Sequence, residues 1–258
     1  MCSEKLMIPD DGIQLSAVLE KPDGAEPAAL AILLHGFTSA KDRIHNIQAA
    51  EAMRNAGLAT LRLDLYGHGE SGGEFRKHTL YKWISNTLTA IDWAREQGYQ
   101  SLFLSGHSQG GLTAALAAGM EADRIRGLIL RAPAFMIPQA ARDGMMLGYS
   151  FDPDRVPAEI GVIKDLILDG NYIRVAQTIH PEEAAERFQG PVLILHGDQD
   201  DVVPPEVSLK MSERYAHSEL TVIEGETHHF DQKPERMKEL ITDWLRGLPS
   251  SCAGSAPS

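Results

Sequence analysis

Cysteine is nearly missing from this chain: its 258 residues include two, Cys2 and Cys252, near opposite ends. Neither flanks a core element. Both read as free thiols in a reducing, cytoplasmic compartment, which excludes a disulfide-stapled scaffold. Basic residues are also scarce, 24 Lys and Arg against 36 Asp and Glu, for a formal charge of −12. Nucleic-acid binding needs clustered Lys and Arg against phosphates, so no nucleic-acid partner is expected. No apolar stretch is long enough to cross a bilayer, so no membrane partner is expected either. Residues 1–12 lack a basic region followed by an apolar run and predict no secretory leader. The Gly-rich run at residues 64–71 lacks the G-x-x-x-x-G-K and G-x-G-x-x-G spacings that cradle phosphates, and reads as a tight loop. His228 and His229 are adjacent and have neither an H-x-x-x-H spacing nor a cysteine cluster beside them, so no metal and no cofactor is expected.

What remains is an ordinary globular composition, 43% apolar and 23% charged, long enough for one sizeable core. Short apolar runs at residues 30–34, 59–63, 101–105, 127–130 and 192–195 read as strands buried on both faces. Helical patterns lie between and after them, at 46–55, 80–97, 110–118, 206–215 and 234–245. Pro234 sits near the start of the last, where a missing N–H costs little. Residues 5–8 and 13–19 read as an opening antiparallel pair. The alternation predicts an α/β fold, a mostly parallel sheet with helices on both faces.

One segment breaks the rhythm. Residues 133–187 offer no convincing core strand but contain Met136, Met145, Met146, Tyr149, Phe151, Tyr172 and several prolines. A structureless loop of that length is implausible, so the segment reads as a small inserted cap. The core is then residues 1–132 and 188–246, and 247–258, rich in Pro, Gly, Ala and Ser, reads as a disordered tail.

The chemistry is concentrated at Gly106-His107-Ser108-Gln109-Gly110, between an expected strand and an expected helix. G-x-S-x-G in that setting is a nucleophile elbow: a sharp turn exposes the serine hydroxyl, and small residues flank it because the backbones come close. The helix start supplies N–H groups and a positive dipole end for a developing oxyanion. A serine hydroxyl needs a general base. In this fold the order is serine, acid, histidine, and both later candidates follow expected strands, where α/β sheets build their sites. The acid lies among Asp198, Asp200 and Asp201, and the base is His228 or His229; local chemistry does not choose. His35-Gly36-Phe37 follows the first buried strand, the usual place for a second oxyanion donor, so the hole is assigned to the N–H groups of Phe37 and Gln109. His35 is read as ordering that loop through hydrogen bonds rather than moving protons.

Together these residues resemble the α/β-hydrolases, with H-G near the start, D-x-x-G-x-G-x-S over Asp64 to Ser71, and G-H-S-x-G-G at the elbow. Within that superfamily the chain is most similar to the small bacterial cinnamoyl (feruloyl) esterases, over roughly residues 30–245. The similarity rests on the elbow, Ala132-Pro133-Ala134, Tyr172-Ile173-Arg174-Val175-Ala176-Gln177, and Glu224-Gly225 ahead of His228. It implies an α/β-hydrolase fold with a cap after the strand that follows the elbow helix. It also implies Ser108 as nucleophile, Asp200 as the acid, His228 as the base, and Phe37 and Gln109 as oxyanion donors. Tyr172 matches a family position that meets the phenolic ring. A second polar position, expected to be acidic, falls on Ala140, with Asp143 nearby as a substitute. The function implied is a carboxylic ester hydrolase acting through an acyl-enzyme on hydroxycinnamate or similar aryl esters. A monoacylglycerol lipase or short-chain carboxylesterase shares these motifs, an acyl-peptidase is a weaker third, and a ligand-binding receptor is the non-enzyme reading. The expected partner is a small-molecule ester, with a homodimer allowed.

Overall fold

The computed structural model describes residues 2–24, 27–162 and 166–249. The chain opens with two long strands, β1 (Cys2–Asp10) and β2 (Ile13–Lys21), paired antiparallel across the turn at Asp11 and Gly12. Strands and helices then alternate: β3 (Ala29–Leu34), α1 (Ile44–Asn55), β4 (Ala59–Leu63), α2 (Leu80–Glu96), β5 (Ser101–His107), α3 (Gln109–Met120) and β6 (Ile125–Arg131).

The inserted segment follows, with α4 (Ile137–Arg142), hairpin strands β7 (Met145–Met146) and β8 (Tyr149–Ser150), hairpin strands β9 (Glu159–Gly161) and β10 (Ile167–Asp169), then α5 (Asn171–Gln177) and α6 (Pro181–Arg187). The core resumes with β11 (Val192–Gly197), α7 (Pro205–Ser212), β12 (Ser218–Ile223) and α8 (Pro234–Gly247).

Eight strands form one sheet in the order β1-β2-β4-β3-β5-β6-β11-β12. Pairing is parallel from β4 through β12, and only the opening strands run antiparallel. This is the α/β-hydrolase fold. β6 pairs directly with β11 although the whole inserted segment lies between them in sequence, and the two small hairpins stay outside the main sheet.

The near-continuous apolar runs follow from burial on both faces. In β3, Leu30, Ile32 and Leu34 pack into the core beneath α2 and α3, while Ala31 and Leu33 face the opposite layer. β11 repeats this, with Val192 and Ile194 on one side and Leu193 and Leu195 on the other. The second layer is α1 against α8, through Met53, Met237, Ile241 and Trp244. Proline sits in the first turn of α4, α6, α7 and α8, where its missing N–H leaves no bond unmade.

Two details differ from expectation. The helix expected at 206–215 stops at Ser212, because the Ser218 hydroxyl donates to the Ser212 carbonyl at 2.7 Å and turns the chain into β12. Gly247, placed in the tail, instead closes α8. Within the insertion, α6 lies on the core helix α3 close enough that a side chain at Gly119 would sit 2.6 Å from the Ala184 backbone. Cys2 is exposed and free, while Cys252 and residues 250–258 lie outside the described residues.

The register brings the carboxyl ends together. Leu34 pairs with Gly106, His107 with Arg131, Arg131 with Leu195, and Gly197 with Ile223. The loops after β3, β5, β6, β11 and β12 therefore leave from one edge, and every predicted catalytic residue sits on one of them.

Candidate active site

Ser108 occupies the single position between β5 and α3, at φ +54° and ψ −123°. A non-glycine residue there stores roughly 1–3 kcal/mol of strain and persists only where its surroundings fix it. The Ser108 N–H donates to the Arg131 carbonyl at 3.0 Å, and the Ser108 carbonyl accepts from Gly111 at 2.9 Å and Ala134 at 3.0 Å. A Cβ at Gly106 would fall 2.1 Å from the Gly110 oxygen, and one at Gly110 would fall 2.2 Å from the His35 oxygen, so both positions require glycine. Strain is gathered along this edge: Thr38, Ala132 and Phe230 also have positive φ, at +56°, +44° and +54°. Gln109 is the first residue of α3, so its N–H has no carbonyl one turn earlier to bond.

The loop bearing Phe37 is fixed from below. His35 is buried; its Nδ1 donates to the Gly36 carbonyl at 2.8 Å and its Nε2 accepts the Leu65 N–H at 3.0 Å. Burial, reinforced by His68, lowers its pKa to about 3, so the ring stays neutral. Lys41 lies under the same loop. Its backbone N–H and its ammonium reach the two carboxylate oxygens of buried Asp64 at 2.6 and 2.7 Å, and the ammonium also reaches Glu70 at 2.6 Å. Burial would depress the lysine, but the bonds to Asp64 and Glu70 outweigh it and hold the pKa above the ordinary range. The D-x-x-G-x-G-x-S loop thus wraps a carboxylate that ties it to the neighbouring loop after β3.

Of the three candidate acids, Asp200 is the one beside a histidine. His228 Nδ1 lies 2.7 Å from its Oδ2, and both groups are buried. Oδ1 of Asp200 accepts the N–H groups of Val202 and Val203 at 2.9 and 2.8 Å. Burial pushes the Asp200 pKa up, but hydrogen bonds from His196, His228 and Val203 win and hold it well below the usual carboxylate range. Asp198 is exposed and accepts the Gly225 N–H at 2.6 Å, pinning the start of the histidine loop. Asp201 and His229 are exposed.

The histidine loop has a further clamp. Glu226 is fully buried, and its carboxylate accepts the N–H groups of Thr227, Gln232 and Lys233 at 2.8, 3.1 and 2.7 Å. His107, the residue before Ser108, connects this loop to the elbow: its Nε2 donates to the His228 carbonyl at 2.7 Å. Burial, with contributions from His45, His228 and Arg131, holds the His107 pKa well below the ordinary value. Behind it stand His45, with ring centroids 4.4 Å apart, and buried Arg131, which donates to the His45 carbonyl and to Asn46.

Tyr172, on α5, reaches the elbow from the inserted segment. Its ring lies 6.3 Å from Phe37 and 5.1 Å from His78, and its hydroxyl donates to Oε1 of Gln109 at 2.7 Å. With Phe75, 5.6 Å from Phe37, these rings form an aromatic wall beside the two assigned oxyanion residues. Asp143 sits elsewhere: it is exposed just after α4 and accepts from Gln139 at 2.6 Å. Lys41, Glu226 and His107 were not legible as site residues in the sequence, although Lys41 alone lacks a motif; His107 lies within the elbow and Glu226 two residues before His228.

A strained serine at a strand–helix elbow, with a buried histidine–aspartate pair on neighbouring strand ends, defines an α/β serine hydrolase. Residues 25–153 match the family model described as serine aminopeptidase, S33, and the chain belongs to that family. Over 93% of this chain and 97% of the other, the fold matches Est1E from Butyrivibrio proteoclasticus with ferulic acid bound, at a TM-score of 0.91 and 43% identity. Among curated proteins, the chain is 25% identical to a monoacylglycerol lipase of Mycolicibacterium smegmatis, over 91% of this chain and 93% of that one. It is 27% identical to the mitochondrial palmitoyl-protein thioesterase ABHD10 of Mus musculus, over 81% of this chain and 69% of that one. Among the described residues, no helix is long and apolar enough to cross a membrane.

Proposed function

We propose that this serine hydrolase cleaves carboxylic esters of hydroxycinnamate-like aryl acids through an acyl-enzyme. The observation that carries the reading is the 2.7 Å contact from His228 Nδ1 to buried Asp200, with the His228 carbonyl accepting from His107, the residue preceding Ser108. Ser108 Oγ attacks the ester carbonyl carbon while His228 Nε2 takes its proton. The carbonyl oxygen becomes an oxyanion received by the N–H groups of Phe37 and Gln109. As the carbon–oxygen bond to the alcohol breaks, the imidazolium returns the proton to the leaving oxygen. Water then attacks the acyl-serine with His228 again as base, releasing the acid and restoring Ser108. Asp200, held ionised, orients the imidazole and stabilises its cationic form.

The aryl preference is supported by the ring wall of Phe37, Phe75, His78 and Tyr172, and by the ferulic acid bound in Est1E. While Tyr172 donates to Gln109, its oxygen can still accept a hydrogen bond from a phenolic hydroxyl. The monoacylglycerol lipase relative favours a second reading, an acylglycerol substrate in the same site. A panel of methyl ferulate, chlorogenate, p-nitrophenyl esters of increasing chain length and a monoacylglycerol separates the two. The highest kcat/KM is expected on methyl ferulate, and a preference for the monoacylglycerol overturns the aryl assignment. Ser108→Ala is expected to lose about 10⁴-fold or more in kcat and all organophosphonate labelling.

A further inference from the structure

His196 lies in β11, beneath the loop that bears Asp200, and is fully buried. Its Nε2 faces two oxygens, the Val203 carbonyl at 2.8 Å and Oδ2 of Asp200 at 3.1 Å. Neither oxygen can donate, so the proton of the neutral ring belongs on Nε2. Nδ1 is then bare and accepts from the Ser208 hydroxyl on α7, 2.7 Å away. Asp200 therefore meets two backbone N–H groups at Oδ1 and two imidazoles, His228 and His196, at Oδ2.

We propose that His196 is a positioning residue for the reaction: it engages Asp200 Oδ2 as a second imidazole donor and limits the pull of that carboxylate on His228. This rests on the reading of Asp200 and His228 as acid and base. A carboxylate answered by one imidazole concentrates its charge on that partner and favours its protonated form. A second N–H donor on the same oxygen draws off part of that charge, so the acidic limb of kcat/KM is expected to lie at lower pH with His196 in place than without it. The other groups facing the pair are His107 at the end of β5, His45 on α1, Arg131 at the end of β6, and the exposed His229. Burial holds His107 and His45 neutral, and Arg131 stays charged up to about 9, so these do not titrate in the window of interest. His229 is removed as a contributor by working in a His229→Ala background.

The test is the pH dependence of kcat/KM for p-nitrophenyl acetate in that background, with His196→Asn, His196→Gln and Asp200→Asn. A glutamine amide nitrogen can stand near the ring's Nε2, whereas asparagine is too short. His196→Asn is expected to move the acidic limb up by about 0.5–1 pH unit, and His196→Gln to bring it back. An acidic limb unmoved in His196→Asn, with only a lower plateau, overturns the proposal, since lost packing alone does not retune the base. If His196→Asn does not fold, imidazole ¹⁵N spectra of the unmodified enzyme decide. Protonated Nε2 and bare Nδ1 on His196, with the Nε2–H resonance moving in Asp200→Asn, support it; protonation at Nδ1 overturns it. Asp200→Asn separates this from the parent reading. Near-full activity there means that the triad is misassigned, whereas a loss of about 10⁴-fold with an unmoved His196→Asn limb removes only the role of His196.

Discussion

The hydroxyl of Tyr172 and the side-chain oxygen of Gln109 meet at 2.7 Å, joining the inserted segment to the first residue of the elbow helix. Both side chains are buried, so the bond has no competing water of its own. One tyrosine, proposed to meet the acyl ring, thus also braces a residue whose N–H is assigned to the oxyanion.

Tyr172→Phe separates those roles. Loss of the bracing bond is expected to lower kcat/KM for p-nitrophenyl acetate about five-fold, the worth of one neutral hydrogen bond. Methyl ferulate is expected to show that factor and a further rise in KM of similar size, because only it offers a ring hydroxyl. Steady-state kinetics on both esters reads the split. An acetate ester left at full rate would mean that the Gln109 side chain does not govern its N–H.

The acid and base assignments predict sharply unequal neighbours. His228→Ala and Asp200→Asn are each expected to lose about 10⁴-fold in kcat. His229→Ala, Asp198→Asn and Asp201→Asn are expected to keep most of theirs, because these side chains are exposed. Asp198→Asn also keeps its loop anchor, since the side-chain oxygen still accepts from Gly225. A dead His229→Ala with an active His228→Ala would exchange the two roles.

Lys41→Met tests the support beneath the oxyanion loop. It removes the cation from a buried pair and leaves Asp64 charged in the interior, which costs about 3–5 kcal/mol. Urea unfolding measures this directly. Because Lys41 and Phe37 share one loop, kcat is expected to fall more than KM rises. A variant of unchanged stability would show that Asp64 finds another partner.

Acid is expected to destabilise the protein well before its carboxylates titrate. Burial lowers His35 and His78 to about 3, and lowers His45, His68 and His107 as well. In the unfolded chain all five protonate near pH 6.5, so from there downward the unfolded state binds more protons and stability falls with pH. The depressed Asp200 adds a second loss only below about pH 4. Between pH 6 and 4.5 the slope of unfolding free energy against pH is expected to correspond to uptake of about four to five protons. A flat profile there would mean that these rings are already charged in the folded protein.

The sheet and the strained elbow at Ser108 were readable from sequence because they are local. Runs such as Leu30 to Leu34 are apolar on both faces, and Ser108 is named by its flanking glycines and its place between strand and helix. The acid was not local. Asp198, Asp200 and Asp201 are chemically alike in one loop, and what separates them is which one meets the Val202 and Val203 amides and the His228 ring. The small hairpins of the insertion escaped for another reason: strands of two or three residues are too short for a period-two pattern. Lys41 and Glu226 carry no sign of burial in the sequence, since the partners that bury them lie on other elements or in backbone amides.

The order of pairing across the sheet has a consequence for synthesis. Ser108, the Phe37 loop and four central strands are all complete by Arg131, yet Asp200 and His228 wait for the chain beyond Gly197. A ribosome-bound fragment ending before Val192 would hold an elbow with no base, and would expose the apolar edge of β6 that β11 later covers from Leu128 to Arg131. On the proposed triad, the final quarter of the polypeptide brings acid and base and seals the sheet in the same event, so a stalled or truncated product is expected to be inert and prone to aggregate.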